Sequence, residues 1–280
     1  MRMAMDRYCV MGNPVEHSKS PWIHARFAAL TGEPVEYGKR LVPVDGFAAA
    51  LQAFRAEGGK GCNVTVPFKF EAAKLVAQRS ARAALAGACN TLRFDAGGIY
   101  GDNTDGLGLV HDLQDNAGVA LAGRELLLIG AGGAAAGVLG PLVEAKPRRI
   151  VIANRTVAKA QALVAAHEAL AEASSVQLEA CVLDAVPGAF DVVVNGTATS
   201  LSGAGVPVAA SVLRPGALAC DMMYGPAAEG FLQWARDHGA VGRDGLGMLV
   251  EQAAEAFLVW RGVRPPSGAV LAELRRELAR

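Results

Sequence analysis

LLLIGAGGAA, residues 126–135, is the stretch whose reading decides the fold. Four apolar residues without a polar interruption suit a strand buried on both faces, the glycines that follow end it, and the small residues beyond Gly133 open a helix. Gly130, Ala131, Gly132, Gly133, Ala134 and Ala135 spell GxGxxA in the strand, turn and helix setting that a dinucleotide requires. Gly130 permits the tight turn, Gly132 lets backbone amides approach a pyrophosphate, and Ala135 allows the helix to pack closely on the strand. The uncharged run Leu126 to Val143 is long enough to cross a bilayer, but five glycines and Pro141 interrupt it, and strand, turn and helix account for it better.

Downstream, RRIVIAN (148–154), an Ala-rich helix from Val157 to Ala173, VQLEACVL (176–183), DVVVN (191–195) and ALACDM (217–222) repeat the pattern of short apolar strands separated by helices. This predicts a parallel, doubly wound sheet with right-handed crossovers. Upstream, YCVMG (8–12), YGKRLV (37–42), GCNVTV (61–66) and NTLRF (90–94) alternate with helical stretches such as Trp22 to Leu30 and Phe47 to Ala56, a second α/β region. The chain closes with two helical segments, GMLVEQAAEAFLVW (247–260) and SGAVLAELRREL (267–278), which need a partner surface and are expected to return to the first domain. The expected domains are therefore 1–105 with 246–280, and a dinucleotide-binding domain at 106–245.

Lys plus Arg and Asp plus Glu both count 27 among 280 residues, so no global field exists to hold nucleic acid or an anionic membrane. With 52% hydrophobic residues, the chain reads as a compact globular protein. Charges at Arg2, Asp6 and Arg7 argue against a secretory signal, and five scattered cysteines without a CxxC pair suit reduced thiols, so a soluble cytoplasmic protein is expected. No HExxH or similar spacing occurs among the five histidines, so no metal is expected. A calcium loop at GDNTDG (101–106) fails because Gly101 stands where the first carboxylate belongs.

The strand RRIVIAN ends at Asn154, Arg155 and Thr156, where an NAD site usually places a carboxylate for the ribose 2′-hydroxyl. An arginine pairs with a 2′-phosphate through two parallel donors, Asn and Thr add hydrogen bonds, and Lys159 lies one turn on. The cofactor read from these residues is NADP. The competing structural role is capping of the helix that starts at Val157.

Lys69 in NVTVPFK (63–69) and Asp105 in GDNTDG stand out as groups able to manage a hydroxyl proton. Lys69 follows a strand and Pro67 at a helix start, where the dipole disfavours a cation and a proton-exchanging lysine makes sense; a solvated surface lysine is the plainer reading. Asp105 lies where the first domain gives way to the second, or is simply a turn carboxylate. Ser20 before Pro21 reads as an N-cap and N1 pair whose hydroxyl remains available to donate elsewhere. Asn63 and Thr65 share a strand face and are read as pointing into a polar cleft. Gln252 falls on an apolar stripe with Leu249, Ala256 and Val259, which favours a buried polar task over a surface role.

Together GNPVEHSKSP (12–21), NVTVPFK, AGACNTL (86–92), GDNTDG, GAGGAA (130–135), NRT (154–156), DMMYG (221–225) and DGLGMLVEQA (244–253) resemble the shikimate dehydrogenase family, in family order and over nearly the whole chain. The resemblance implies reversible NADPH-dependent reduction of 3-dehydroshikimate to shikimate, a step in chorismate and aromatic amino acid biosynthesis. It implies Lys69 as catalytic acid/base with Asp105 as its partner, and Ser18, Ser20, Thr65, Asn90, Tyr224 and Gln252 as holders of the substrate carboxylate and hydroxyls. It also implies Thr197, Met222 and Gly245 near the nicotinamide end of NADP. Tyr224 read alone is equally a packed aromatic. The run NGTATSLSG (195–203) is longer than the family's usual one. Two alternatives stand beside this: a quinate/shikimate dehydrogenase of the same superfamily, and a non-catalytic NADP-sensing protein. The partners expected are small molecules only, with the chain a monomer or homodimer.

Overall fold

The computed structural model describes residues 5–197 and 205–279. The chain divides into two compact units, Met1–Gly108 with Leu249–Arg280, and Leu109–Met248.

The first unit is built on a mixed six-stranded sheet. Its strands are β1 (Asp6–Gly12), β2 (Val35–Leu41), β3 (Gly61–Val64), β4 (Gln78–Arg79), β5 (Thr91–Asp95) and β6 (Gly98–Asp102), in the order β2-β1-β3-β5-β6-β4. β1 pairs parallel with β2 and β3, whereas β5 runs antiparallel to both β3 and β6. The β5–β6 hairpin turns through Ala96 and Gly97. The period-two alternation sorts the strands onto two faces. Cys9, Met11, Cys62, Val64 and Leu92 join a core with Phe47, Leu51 and Phe54 of helix α2 (Phe47–Ala56) and Ala72 and Ala73 of α3 (Lys69–Leu75).

The opposite face meets α1 (Ser20–Thr31) and α9 (Leu246–Arg261), and α10 (Ser267–Leu278) packs on α1, so the closing helical segments return to the first unit. Tyr8 stacks on Trp260 at 4.5 Å, and His24 stacks on Tyr37 at 4.2 Å with Phe27 and Phe257 alongside. Arg26 of α1 forms a bidentate pair with Glu273 of α10.

The second unit carries six parallel strands, β7 (Glu125–Ile129), β8 (Arg149–Ala153), β9 (Gln177–Cys181), β10 (Phe190–Asn195), β11 (Leu213–Asp221) and β12 (Val241–Arg243). Their order, β12-β11-β10-β7-β8-β9, is that of a Rossmann fold, two half-sheets wound outward from β7 and β10. Leu126, Leu128, Ile150, Ile152, Val192 and Val194 face one core with α6 (Gly133–Glu144) and α7 (Val157–Ser174), while Leu127, Ile129, Val151, Ala153 and Val193 face another with Phe231 and Ala235 of α8 (Glu229–Asp237). Burial on both faces is why these strands read as unbroken apolar runs. Among the described residues no helix is long and apolar enough to cross a membrane.

His24 is fully buried in the aromatic cluster of the first unit, and Asn63 beside its ring only partly opposes the effect of burial. Burial lowers its pKa to about 3, so the native protein holds it neutral. The unfolded chain binds that proton near the ordinary histidine value, so the native state loses stability as pH falls through the window between about 6.5 and 3. We expect the unfolding free energy from urea titrations to fall by about 2 kcal/mol more in the wild type than in His24→Phe between pH 7 and pH 4.5. Equal falls would contradict the assignment.

Candidate functional site

Four of the residues singled out in the first unit meet at one point. Phe68, buried and stacked on Phe47 at 4.9 Å, anchors the entry to α3, and Lys69 is the first residue of that helix. Asp105 is the first residue of α5 (Asp105–His111). Lys69 Nζ donates to Asp105 Oδ2 at 2.5 Å, with 16% and 7% of the two side chains exposed. Asn90 Nδ2 donates to the other carboxylate oxygen at 2.8 Å and lies 3.4 Å from Gln252 Oε1. Gln252 also donates to Leu249 O within α9 at 2.8 Å. Its position depends on Gly108, where a side chain would come within 2.6 Å of Gln252 N and Cβ.

Strand register brings these groups together. Asn63 of β3 pairs with Thr91 of β5, and Thr91 pairs with Asp102 of β6, so Asn90 and the segment 103–105 leave the sheet at the same end. Asp102 secures that exit, because its carboxylate accepts from Asn103 N, Ser80 Oγ and Arg82. The turn residues of GDNTDG thus divide their work: Asp102 and Asn103 shape the backbone, Thr104 N donates to Asn90 Oδ1 at 2.9 Å, and Asp105 meets the lysine.

Ser18 Oγ lies 3.2 Å from Ser20 Oγ and accepts from Ser20 N at 3.3 Å. Ser20 is the first helical residue of α1 and not its cap, which corrects the sequence reading. Lys19 holds the cap position with no side-chain cap bond, since an ammonium has no lone pair with which to accept a backbone N–H. The Ser20 hydroxyl is left to Ser18. Thr65 falls one residue beyond β3, half-buried, with its methyl over Gly12. Asn63 is also corrected: its amide bridges Tyr37, Thr91 and the Asn90 carbonyl inside the unit, so it does not line an open polar surface.

In the second unit the glycine turn leaves β7 beside β10, the point where the strand order reverses. Gly130 adopts φ 109°, and a side chain there would come within 3.2 Å of Thr197 and Gly196. Gly132 is exposed, and a Cβ built on it meets nothing within 4 Å. That open space, over the start of a helix with no side-chain cap, fits a pyrophosphate. Ala131, Gly133 and Ala134 are half-buried around it, and Ala135 is fully buried beneath.

Asn154, Arg155 and Thr156 follow β8. Thr156 occupies the cap position of α7 without a cap bond, and Asn154 donates to Thr156 O at 2.9 Å. Arg155, Thr156 and Lys159 are exposed, presenting cationic and hydroxyl donors without a carboxylate among them, which suits a phosphate. Thr197, Met222 and Gly245 converge at the carboxyl ends of β10, β11 and β12. Thr197 Oγ1 donates to Asn195 Oδ1 at 2.7 Å, Met222 N to Asn195 O at 3.0 Å, and Gly245 N to Met223 O at 2.8 Å. Asn195 is held by Asp221 at 3.0 Å, a buried scaffold the sequence reading did not single out. Tyr224 belongs to this unit, half-buried ahead of the turn Gly225–Ala227. The added length after Thr197 lies outside the described residues.

The strand order and the glycine turn at its reversal place the protein among dinucleotide-binding α/β proteins of the Rossmann class. Residues 10–92 match the shikimate dehydrogenase substrate binding domain, 112–202 match shikimate / quinate 5-dehydrogenase, and 245–275 match the shikimate 5′-dehydrogenase C-terminal domain. The chain is 66% identical over 279 residues to a shikimate dehydrogenase (NADP(+)) of Acidovorax sp. (strain JS42), covering 100% of this chain and 99% of that one. Two solved structures are similar: an Ael1 enzyme from Pseudomonas putida (45% identity, TM-score 0.85, 96% and 98% coverage), and shikimate 5-dehydrogenase from Thermus thermophilus in complex with NADP(H) and shikimate (29% identity, TM-score 0.83, 97% and 99% coverage). The chain belongs to the shikimate dehydrogenase family.

Because Gly132 has room for a methyl group, its replacement tests the ligand and not the fold. Gly132→Ala is expected to keep the wild-type thermal midpoint while weakening NADP binding at least tenfold in a fluorescence titration. Unchanged affinity would remove the pyrophosphate from this turn.

Proposed function

We propose that this chain is an NADP-dependent shikimate dehydrogenase that reversibly reduces 3-dehydroshikimate to shikimate, a step in chorismate and aromatic amino acid biosynthesis. The observation that carries the reading is the Lys69–Asp105 pair with Asn90 on the same carboxylate, in a chain 66% identical to an enzyme of that name. Bound NADPH supplies the hydride. As negative charge develops on the carbonyl oxygen, the Lys69 ammonium stabilises it and delivers the proton, general acid catalysis worth about 10²- to 10⁴-fold. Asp105 holds the lysine in place and shares the reacting hydroxyl in the reverse direction, when Lys69 takes up the proton.

Ser18 and Ser20 supply hydroxyl donors for the substrate carboxylate, and Thr65, Asn90, Tyr224 and Gln252 hold the ring hydroxyls. A polar site that satisfies each hydroxyl discriminates against an analogue that lacks one, since its own groups are then left unpaired. Residues 130–135 cradle the pyrophosphate, Asn154, Arg155, Thr156 and Lys159 take the 2′-phosphate, and Thr197, Met222 and Gly245 border the nicotinamide. The first unit is the substrate-binding and catalytic domain and the second the NADP domain. The five cysteines are unbridged, which suits the cytoplasm.

Initial rates on shikimate and quinate, each with NADP and with NAD, test the proposal. Shikimate with NADP is expected to be fastest. Faster turnover of quinate with NAD would overturn it, and tight NADP binding with no turnover of either would point to a sensing protein.

A further inference from the structure

Behind the Lys69–Asp105 pair runs a chain of buried hydrogen bonds whose direction is set by one backbone donor. Thr104 N–H points at Asn90 Oδ1 at 2.9 Å, and a backbone N–H can only donate. The Asn90 oxygen therefore faces Thr104, and of the two protons on Asn90 Nδ2 one goes to Asp105 Oδ1 at 2.8 Å and the other lies between Thr104 Oγ1 at 2.9 Å and Gln252 Oε1 at 3.4 Å. Thr91 Oγ1 lies 2.8 Å from the same oxygen and must give its single proton there. Thr91 then offers a lone pair to Asn63 Nδ2 at 3.0 Å, which turns Asn63 Oδ1 toward the Tyr37 hydroxyl at 2.7 Å.

Tyr37, Asn63, Thr91 and Asn90 thus donate in sequence toward Asp105, and Lys69 closes the chain from the other side. Thr91 is fully buried, Asn90 and Asn63 nearly so, and burial pushes the Tyr37 phenol well above its usual range, so that donor keeps its proton. Hydrogen bonds aligned in one direction polarise one another in such surroundings. A strand interior has no need of a hydroxyl at position 91: valine has the same shape and an equal preference for strands.

We propose that Thr91 is a positioning residue of the reaction, its hydroxyl, backed by Asn63 and Tyr37, holding the Asn90 amide on Asp105 so that Asp105 stays aimed at Lys69. The inference rests on the reading of Lys69 and Asp105 as the reacting pair. Thr91 acts through Asn90, since its hydroxyl bonds only to Asn90, Asn63 and Thr104 among the described residues. Without its hydroxyl, Asn63 Nδ2 keeps only the Asn90 carbonyl at 3.2 Å, and Asn90 Oδ1 keeps only Thr104.

The test compares the wild type with Thr91→Val, Thr91→Ser and Tyr37→Phe, recording kcat and KM for shikimate and NADP together with thermal midpoints. Thr91→Val is expected to lower kcat about tenfold, the loss of one positioning hydrogen bond, with the KM for NADP unchanged. Thr91→Ser, which restores the hydroxyl, should return to within about twofold of the wild type. Tyr37→Phe, two bonds further from Asp105, should fall between them, and it carries the test alone if the valine variant does not fold. A wild-type kcat in Thr91→Val, or in Tyr37→Phe, would overturn the inference, even if the midpoint fell, because the hydroxyl would then serve only the sheet. Failure of Thr91→Ser to recover would overturn it as well. A wild type inactive on shikimate would overturn the reading of the pair itself, and this inference with it.

Discussion

An ammonium and a carboxylate, both largely withdrawn from water and 2.5 Å apart, are the constraint around which the first unit is arranged. Each would be costly in that place alone, since removing one partner of a buried pair leaves an uncompensated charge worth about 3–5 kcal/mol. Both residues open a helix, and the two positions are not equivalent. A carboxylate is welcome at the start of α5, where the backbone dipole is positive, whereas Lys69 at the start of α3 works against its own helix. Asp105 therefore offsets what the lysine costs. The cation is held by a neighbouring side chain, Asp105.

Geometry in that pair is inherited from strand register. Direct pairing of Asn63 with Thr91, and of Thr91 with Asp102, aligns the ends of β3, β5 and β6, so that three loops deliver Lys69, Asn90 and Asp105 to one place. In the second unit the order of parallel strands does the corresponding work. It leaves the glycine turn after β7 next to the end of β10, at the point where ligands bind in open α/β sheets.

The parallel half of the molecule was legible because strands buried on both faces write themselves as unbroken apolar runs, and because Gly130 and Gly132 punctuate the first of them. The first unit was less so. Its α/β character could be read, but the antiparallel β5–β6 hairpin turns through Ala96 and Gly97, without the Asn-Gly or Asp-Gly signal of a tight turn. Serine before proline signals a helix cap at Ser20, and the structure begins the helix one residue earlier, at Ser20 itself. Face alternation points Asn63 into a polar cleft with Thr65, but alternation cannot reveal that the groups its amide meets are Thr91 and Tyr37, inside the unit. Thr91 and Asn195 carry no signal in the sequence for the same reason: a polar residue within a strand acquires meaning only from register.

Lys69 and Asp105, on the proposed function, act as one unit in proton transfer. The measurement that reaches this coupling most directly is a double-mutant cycle on kcat with Lys69→Ala, Asp105→Asn and the combined variant. If the two form one device, the double variant will be no slower than the slower single variant, since the second change removes nothing that the first has left working. Losses that multiply, so that the double variant falls by the product of the two single effects, would show that the residues act independently and would contradict the account.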